Sequence, residues 1–168
     1  SYAIETKVNY TAILGHEWGG ALAGALTHTV YQNEFGNVPF FFPIHNITYD
    51  FHVGSGEIDA IALPREDYNM DGYEFWGKVS LLKAGICYAH KVLFPSPGYR
   101  DAMLNTNLPG GLSGFLSHNA DKLIGVQFGV SYQVWDFNAQ DKLPIKEAKH
   151  KAKETLAKKL GSNFGNKL

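Results

Sequence analysis

The sequence predicts an α+β fold, in which a curved antiparallel β-sheet or a partly open barrel is followed by a C-terminal amphipathic helix. Aromatic residues make up 14% of the 168 residues and glycine occurs 18 times, a composition typical of strands joined by tight turns. Several stretches alternate apolar and polar residues, as half-buried strands do. The C-terminal stretch instead repeats apolar residues at helical spacing.

Most of the predicted strands lie in the first half of the chain. Apolar residues fall mainly at even positions over residues 2–14, and Thr, Val and Tyr favour a strand over residues 21–31. An aromatic run at residues 38–44 and an alternating run at 47–53 predict two further strands. Residues 58–63 predict another short one. The glycines at positions 15, 19, 20 and 24 also fit a closely packed helix, so that alternative to the strand at 21–31 stays open.

The second half of the chain mixes three kinds of pattern. Helical spacing slightly favours a helix over residues 73–94, although its glycines and valines also fit strands. Residues 95–119 are rich in Pro, Gly, Asn and Ser and predict a long loop. Strict alternation over residues 124–134 predicts the clearest strand. Residues 144–160 predict the clearest helix, with Gly161 suited to its left-handed terminating position.

These elements predict one globular domain over residues 1–168, with a β-rich body at 1–141 and a lysine-rich helix at 144–161. The formal net charge of −1 argues against nucleic acid as a partner. Residues 142–168, however, hold eight lysines and two glutamates, which gives this end a charge of +6. We expect the helix either to dock on the acidic body or to bind an anionic partner.

The chain begins at Ser1 rather than Met, and no apolar run is long enough for a transmembrane segment. The sequence therefore predicts a processed fragment of a secreted or exported protein. Cys87 is the single cysteine, which excludes an internal disulfide.

Asp50 and His52 are the first candidates for chemistry. They lie two positions apart on a predicted strand, so their side chains emerge on the same face, with His45 close by. A carboxylate beside an imidazole can orient its tautomer, as a general base requires. The alternative is a solvated sheet face without catalytic function.

The segment from Asn9 to His52 resembles part of the activity domain of colicin M-type bacteriocins. The resemblance implies hydrolysis of the lipid-linked peptidoglycan precursor, with Tyr49 and Asp50 matching the catalytic Tyr and Asp of that family. The chain departs from the pattern at Ile47, where the family has Asp. The remaining similar positions are Tyr10, Ile13, Gly15, Gly19, Gly24, Leu26 and Thr27.

Two further patterns concern metals. Asp67, Asn69 and Asp71 followed by Gly72 place oxygen ligands at alternate positions, which predicts a site for Ca²⁺ or another divalent cation. A polar turn of the same composition is the alternative. His16-Glu17 resembles the start of a zinc-binding HExxH helix, but the second His is absent and that site is excluded.

Two functions follow as hypotheses. The first is a bacterial toxin or effector domain that hydrolyses a phosphate-containing, lipid-linked cell-envelope substrate, with Asp50, His52, Tyr49 and His45 at its site. The second is a non-enzymatic β-rich module that binds a carbohydrate or a partner protein, with calcium as an organising ion. In this module exposed aromatic rings would stack on the ligand: Trp18, Tyr68, Tyr73, Trp76 and Tyr99.

Overall fold

A computed structural model describes residues 5, 8–106, 110–136, 138 and 142–162. The chain divides into two compact units, residues 1–127 and residues 128–168. Whether they form a single domain, as the sequence predicts, stays a prediction. Each unit is described here by itself.

The first unit is built on a sheet of four parallel strands: β1 (Ile13–Leu14), β2 (Phe40–Pro43), β6 (Lys91–Phe94) and β7 (Leu123–Gly125). Their order across the sheet is β1–β2–β6–β7. Five helices connect them: α1 (Glu17–His28), α2 (Gln32–Phe35), α3 (Leu81–Tyr88), α4 (Pro97–Asn105) and α5 (Ser113–His118). The connection from each strand to its parallel neighbour runs through helices, as parallel pairing requires.

A small antiparallel sheet lies between β2 and α3 in sequence. It consists of β3 (His52–Gly54), β4 (Glu74–Phe75) and β5 (Lys78–Ser80), in the order β3–β5–β4. Short 3₁₀ turns occupy Ser55–Glu57 and Arg65–Asp67, and a third, Ala120–Lys122, precedes β7. Trp76 and Gly77 form the tight turn between β4 and β5, both with positive φ.

Close contact between α1 and β2 sets the position of the first helix. A Cβ at Gly24 would stand 2.1 Å from the Phe40 ring, and one at Gly15 would stand 2.5 Å from the Gly20 carbonyl oxygen. Glycine is therefore required where the strand–helix turn folds back on itself. The main core lies here, around the fully buried rings of Phe40, Phe42 and Phe94.

The second unit contains α6 (Tyr132–Trp135) and α7 (Ile145–Leu160). Gly161 ends α7 with φ 59° and ψ 28°, so the predicted helix and its left-handed terminating glycine are confirmed. The lysines of α7 are largely exposed, and the anionic partner predicted for this helix stays a prediction. Among the described residues, the structure contains no helix that is both long and apolar enough to cross a membrane.

The predicted fold class is wrong, because the main sheet is parallel and layered with helices rather than curved and antiparallel. The glycines and alanines of residues 21–31 serve helix packing, so most of that predicted strand is α1. Residues 95–119 contain α4 and α5 instead of one long loop. Over residues 124–134, only the start pairs as β7, and the following alternation belongs to irregular chain and α6.

Candidate functional site

Three polar side chains meet at the carboxyl edge of the parallel sheet. His16 and Glu17 follow β1 after one glycine, and His45 follows β2, the neighbouring strand, after one residue. Ligands of open parallel sheets bind in the crevice outside the carboxyl ends of the strands. The fold therefore brings these three residues to the position where a ligand site is expected.

The two histidines contact each other through their rings. His16 Nδ1 lies 2.9 Å from His45 Nε2, and the ring planes differ by 2° with centroids 5.2 Å apart. One nitrogen must donate and the other must accept, so the pair fixes the orientation of both rings. Side chains held in one orientation before a ligand arrives are what a preorganised binding site requires.

Glu17 combines two features that are typical of functional sites. Its backbone has φ 54°, a left-handed conformation that is unusual for a residue with a side chain. Its Oε1 accepts a hydrogen bond of 2.9 Å from the backbone N–H of His45. The other oxygen, Oε2, is buried and has no hydrogen-bond partner among the described residues. Such an atom costs stability, and a ligand hydroxyl would satisfy it.

The structure also brings Asp50 and His52 together, but their surroundings differ from those of the residues at the edge of the parallel sheet. Asp50 Oδ2 lies 3.1 Å from His52 Nε2 and accepts a 2.6 Å hydrogen bond from Ser80 Oγ. Asp50 Oδ1 accepts from the backbone N–H of Leu82, in the first turn of α3. Both carboxylate oxygens therefore hold the start of a helix, a capping role that Ser80 completes.

The other two predicted catalytic residues do not join this pair in one site. Tyr49 is 64% exposed in the loop between β2 and β3. His45 contacts His16, as described above, and belongs to the edge of the parallel sheet. The roles of Tyr49, Asp50 and His52 as catalytic groups stay predictions, and the geometry of Asp50 favours a structural role.

The predicted calcium segment forms a closed turn. Asn69 Oδ1 accepts hydrogen bonds from the backbone N–H groups of Asp71 and Gly72. Asp67 accepts a short hydrogen bond from the Tyr88 hydroxyl, and burial, together with this bond, raises the pKa of Tyr88. Within the described ranges, no group of three or more His, Cys, Asp or Glu side chains is placed to hold a metal ion. Binding of Ca²⁺ stays a prediction.

Sequence reasoning did not assign His16 and Glu17 to a site, because it compared them only with a zinc-binding helix. The feature of the sequence that indicates the site is the position of these residues after apolar strands. A polar pair directly after one apolar strand, together with a histidine directly after the next, indicates the carboxyl edge of a parallel sheet. That signal becomes visible only when the strands are known to be parallel neighbours.

Comparison with protein families identifies a match over most of the first unit. The family model described as the starch synthase catalytic domain matches residues 2–118. A glycogen synthase of Jannaschia sp. (strain CCS1) is 31% identical over 153 residues, which cover 90% of this chain and 31% of that protein. A glycogen synthase of Rhodospirillum rubrum is 40% identical over 125 residues, or 73% of this chain and 24% of that protein. The chain thus spans about a third or less of the length of these relatives.

A solved structure supports the observed fold. The catalytic domain of starch synthase IV from Arabidopsis thaliana, bound to ADP and acarbose, superimposes with a TM-score of 0.80 at 20% identity. The match covers 98% of this chain and 36% of that chain. It confirms a Rossmann-like arrangement of parallel strands and helices and contradicts the antiparallel sheet or barrel.

These matches overturn the predictions that depended on the bacteriocin resemblance. Residues 9–52 lie inside the segment matched by the starch synthase model, and Gly15 and Gly24 there serve strand–helix packing. The predicted toxin, envelope hydrolase and exported protein are wrong, because the relatives are bacterial glycogen synthases. The alternative of a non-enzymatic binding module is no better supported. The chain belongs to the starch synthase catalytic domain family.

Proposed function

We propose that this chain takes part in glucan synthesis, binding a nucleoside-diphosphate glucose and an α-glucan and transferring glucose from the first to the second. The observation that carries the proposal is the group of His16, Glu17 and His45 at the carboxyl edge of the parallel sheet. Membership of the starch synthase family supports it, as does the fold shared with an enzyme bound to ADP and acarbose.

The chemistry of these side chains suits a sugar. The transfer breaks the bond between the anomeric carbon and the diphosphate oxygen and forms a bond from that carbon to an acceptor hydroxyl oxygen, and it releases the nucleoside diphosphate and the hydroxyl proton. Imidazole N–H groups donate to oxygens, and the Oε2 atom of Glu17 accepts from a hydroxyl. Donors and acceptors held in place before the ligand arrives orient it without further reorganisation.

The test measures ligand binding and glucose transfer, and it compares an α-linked with a β-linked glucan. Calorimetry measures the binding of ADP-glucose and maltoheptaose, and a radiolabel assay follows glucose from ADP-glucose into glycogen. Cellohexaose, with β-linked glucose, is the control acceptor. We expect both ligands to bind, and label to enter the α-linked acceptor and not the β-linked one.

Two results would contradict the proposal. The first is that neither ligand binds to the folded protein. The second is that ADP-glucose is consumed only by release of free glucose, which would indicate hydrolysis and not transfer.

A further inference from the structure

A cleft of about 530 Å³ lies beside the small antiparallel sheet, away from the three residues of the sheet edge. Volumes of this size are typical of sites for small organic ligands. Its walls include the rings of Phe75, Trp76 and Phe115, with Glu74 and His118 as polar groups. We call it the Trp76 cleft.

Trp76 is unusually placed for an apolar residue. Its ring is 81% exposed, and its backbone has φ 52°, in the left-handed region that Gly and Asn prefer. Gly77 follows with φ 76°, and its N–H donates to Glu74 Oε1 at 2.7 Å, which holds the turn. Residues held in such sparsely populated backbone conformations often lie at functional sites, which makes Trp76 a candidate for ligand contact.

Lys83 lines the cleft, and its ammonium group is held by neighbouring groups. Lys83 is only 3% exposed, and its Nζ donates to the carbonyl oxygens of Met70 at 2.8 Å and Glu74 at 2.6 Å. The same atom lies 4.3 Å from the centre of the Phe115 ring. Since these contacts occupy the ammonium group, the cleft offers aromatic faces and hydrogen-bonding groups to a neutral ligand.

Paired rings occur at two places in the first unit, beside Glu17 and at the Trp76 cleft. Trp18, directly after Glu17, packs on Phe51 with centroids 4.8 Å apart. His52, the next residue after Phe51, packs on Phe75 at 5.7 Å, and Phe75 contacts Trp76 at 6.1 Å. The rings of His52 and Phe75 therefore adjoin Trp76 at the cleft. The C–H faces of successive sugar rings pack well on such a surface.

We propose that the Trp76 cleft binds a glucose residue of the acceptor glucan at a distance from the end being extended, with Trp76 as its stacking platform. This subsite rests on the proposed function, because that function supplies the glucan. It makes long acceptors bind better than short ones, and it leaves the transfer step itself unchanged.

The test uses Trp76→Asn, since Asn suits a positive φ and the variant keeps the tight turn. Trp135→Ala is the matched control, because Trp135 is 76% exposed and lies in the other unit. We expect Trp76→Asn to weaken maltoheptaose binding about tenfold, as loss of a central aromatic contact does. We expect the same variant to bind maltose within about twofold of the wild type. Its urea midpoint should not fall. Trp135→Ala behaves like the wild type.

The outcomes separate the subsite from the proposed function. If maltoheptaose binding needs Trp76 while the wild type transfers no glucose, the subsite stands and the proposed function falls. If the wild type transfers glucose while Trp76→Asn binds maltoheptaose as tightly as it does, the subsite is refuted. An equal loss of binding in Trp135→Ala also refutes it.

Discussion

Two regions of the first unit bring a histidine and a carboxylate residue into contact, and they differ in what the carboxylate does. At the small sheet, Asp50 contacts His52 but also accepts from Ser80 and from the backbone of Leu82. At the edge of the parallel sheet, Glu17 holds the His45 backbone with one oxygen, and its other oxygen is buried with no partner in the described part of the chain.

The difference teaches that closeness of an acid and an imidazole is weak evidence for chemistry. A carboxylate whose lone pairs are used by the fold stabilises that fold. A carboxylate that is buried, unsatisfied and held on a strained backbone has a cost that folding alone does not explain. The edge of the parallel sheet is therefore the better candidate site, and four substitutions test this contrast.

The largest effect is expected for His45→Ala. Loss of the ring removes a positioned donor and frees His16 to change its orientation, so glucose transfer should fall by about 10²–10³-fold. His150→Ala, on the exposed face of α7, is the matched control and should transfer glucose like the wild type. Activity in His45→Ala within about threefold of the wild type would remove this histidine from the site.

Asp50→Ala should instead act on stability. It removes the acceptor for Ser80 and Leu82 at the start of α3, so the free energy of unfolding should fall by about 2 kcal/mol. Urea denaturation measures this, and transfer per folded molecule should fall far less than in His45→Ala. If activity is lost while stability is retained, the comparison between the two regions reverses.

Glu17→Gln keeps the acceptor for the His45 backbone and removes the buried negative charge. We expect transfer to fall about tenfold, because the amide no longer accepts at the position of Oε2. The free energy of unfolding should stay constant or rise by up to about 1 kcal/mol, since an unsatisfied charged atom is removed. Kinetic and urea measurements on the same variant check that transfer falls while the free energy of unfolding does not. A clear loss of stability would contradict the assignment of Glu17 to the site.

The smallest effect is expected for Tyr49→Ala. An exposed loop side chain usually changes stability by less than about 0.5 kcal/mol. The same urea titration checks this value. A change several times larger would show that Tyr49 makes contacts that its exposure does not indicate.

Local patterns predicted part of the fold well. Residues 38–44 contain β2, and residues 144–160 correspond to α7, where the apolar spacing is regular and Gly161 marks the end. The glycines of α1 misled the prediction, because Gly24 is small to accommodate the Phe40 ring and not to form a strand. The alternation over residues 124–134 failed because strand pairing needs a neighbour, and only Leu123–Gly125 has one in β6.

The candidate site was predicted in part. His45 was selected as a neighbour of Asp50, yet its contact is His16, 29 positions away in sequence. Glu17 contacts the His45 backbone across a similar separation. Sequence proximity could not reveal either contact, because both depend on the parallel pairing of β1 with β2.

The sequence by itself determined the elements whose cause is local: an amphipathic lysine-rich helix and its terminating glycine. Only the tertiary structure decided which strands are neighbours, in which direction they run, and hence which polar residues share an edge. The physical reason is that helical spacing and turn chemistry act over a few residues. Sheet order and the meeting of His16, Glu17 and His45 instead depend on contacts between distant segments, which no local pattern encodes.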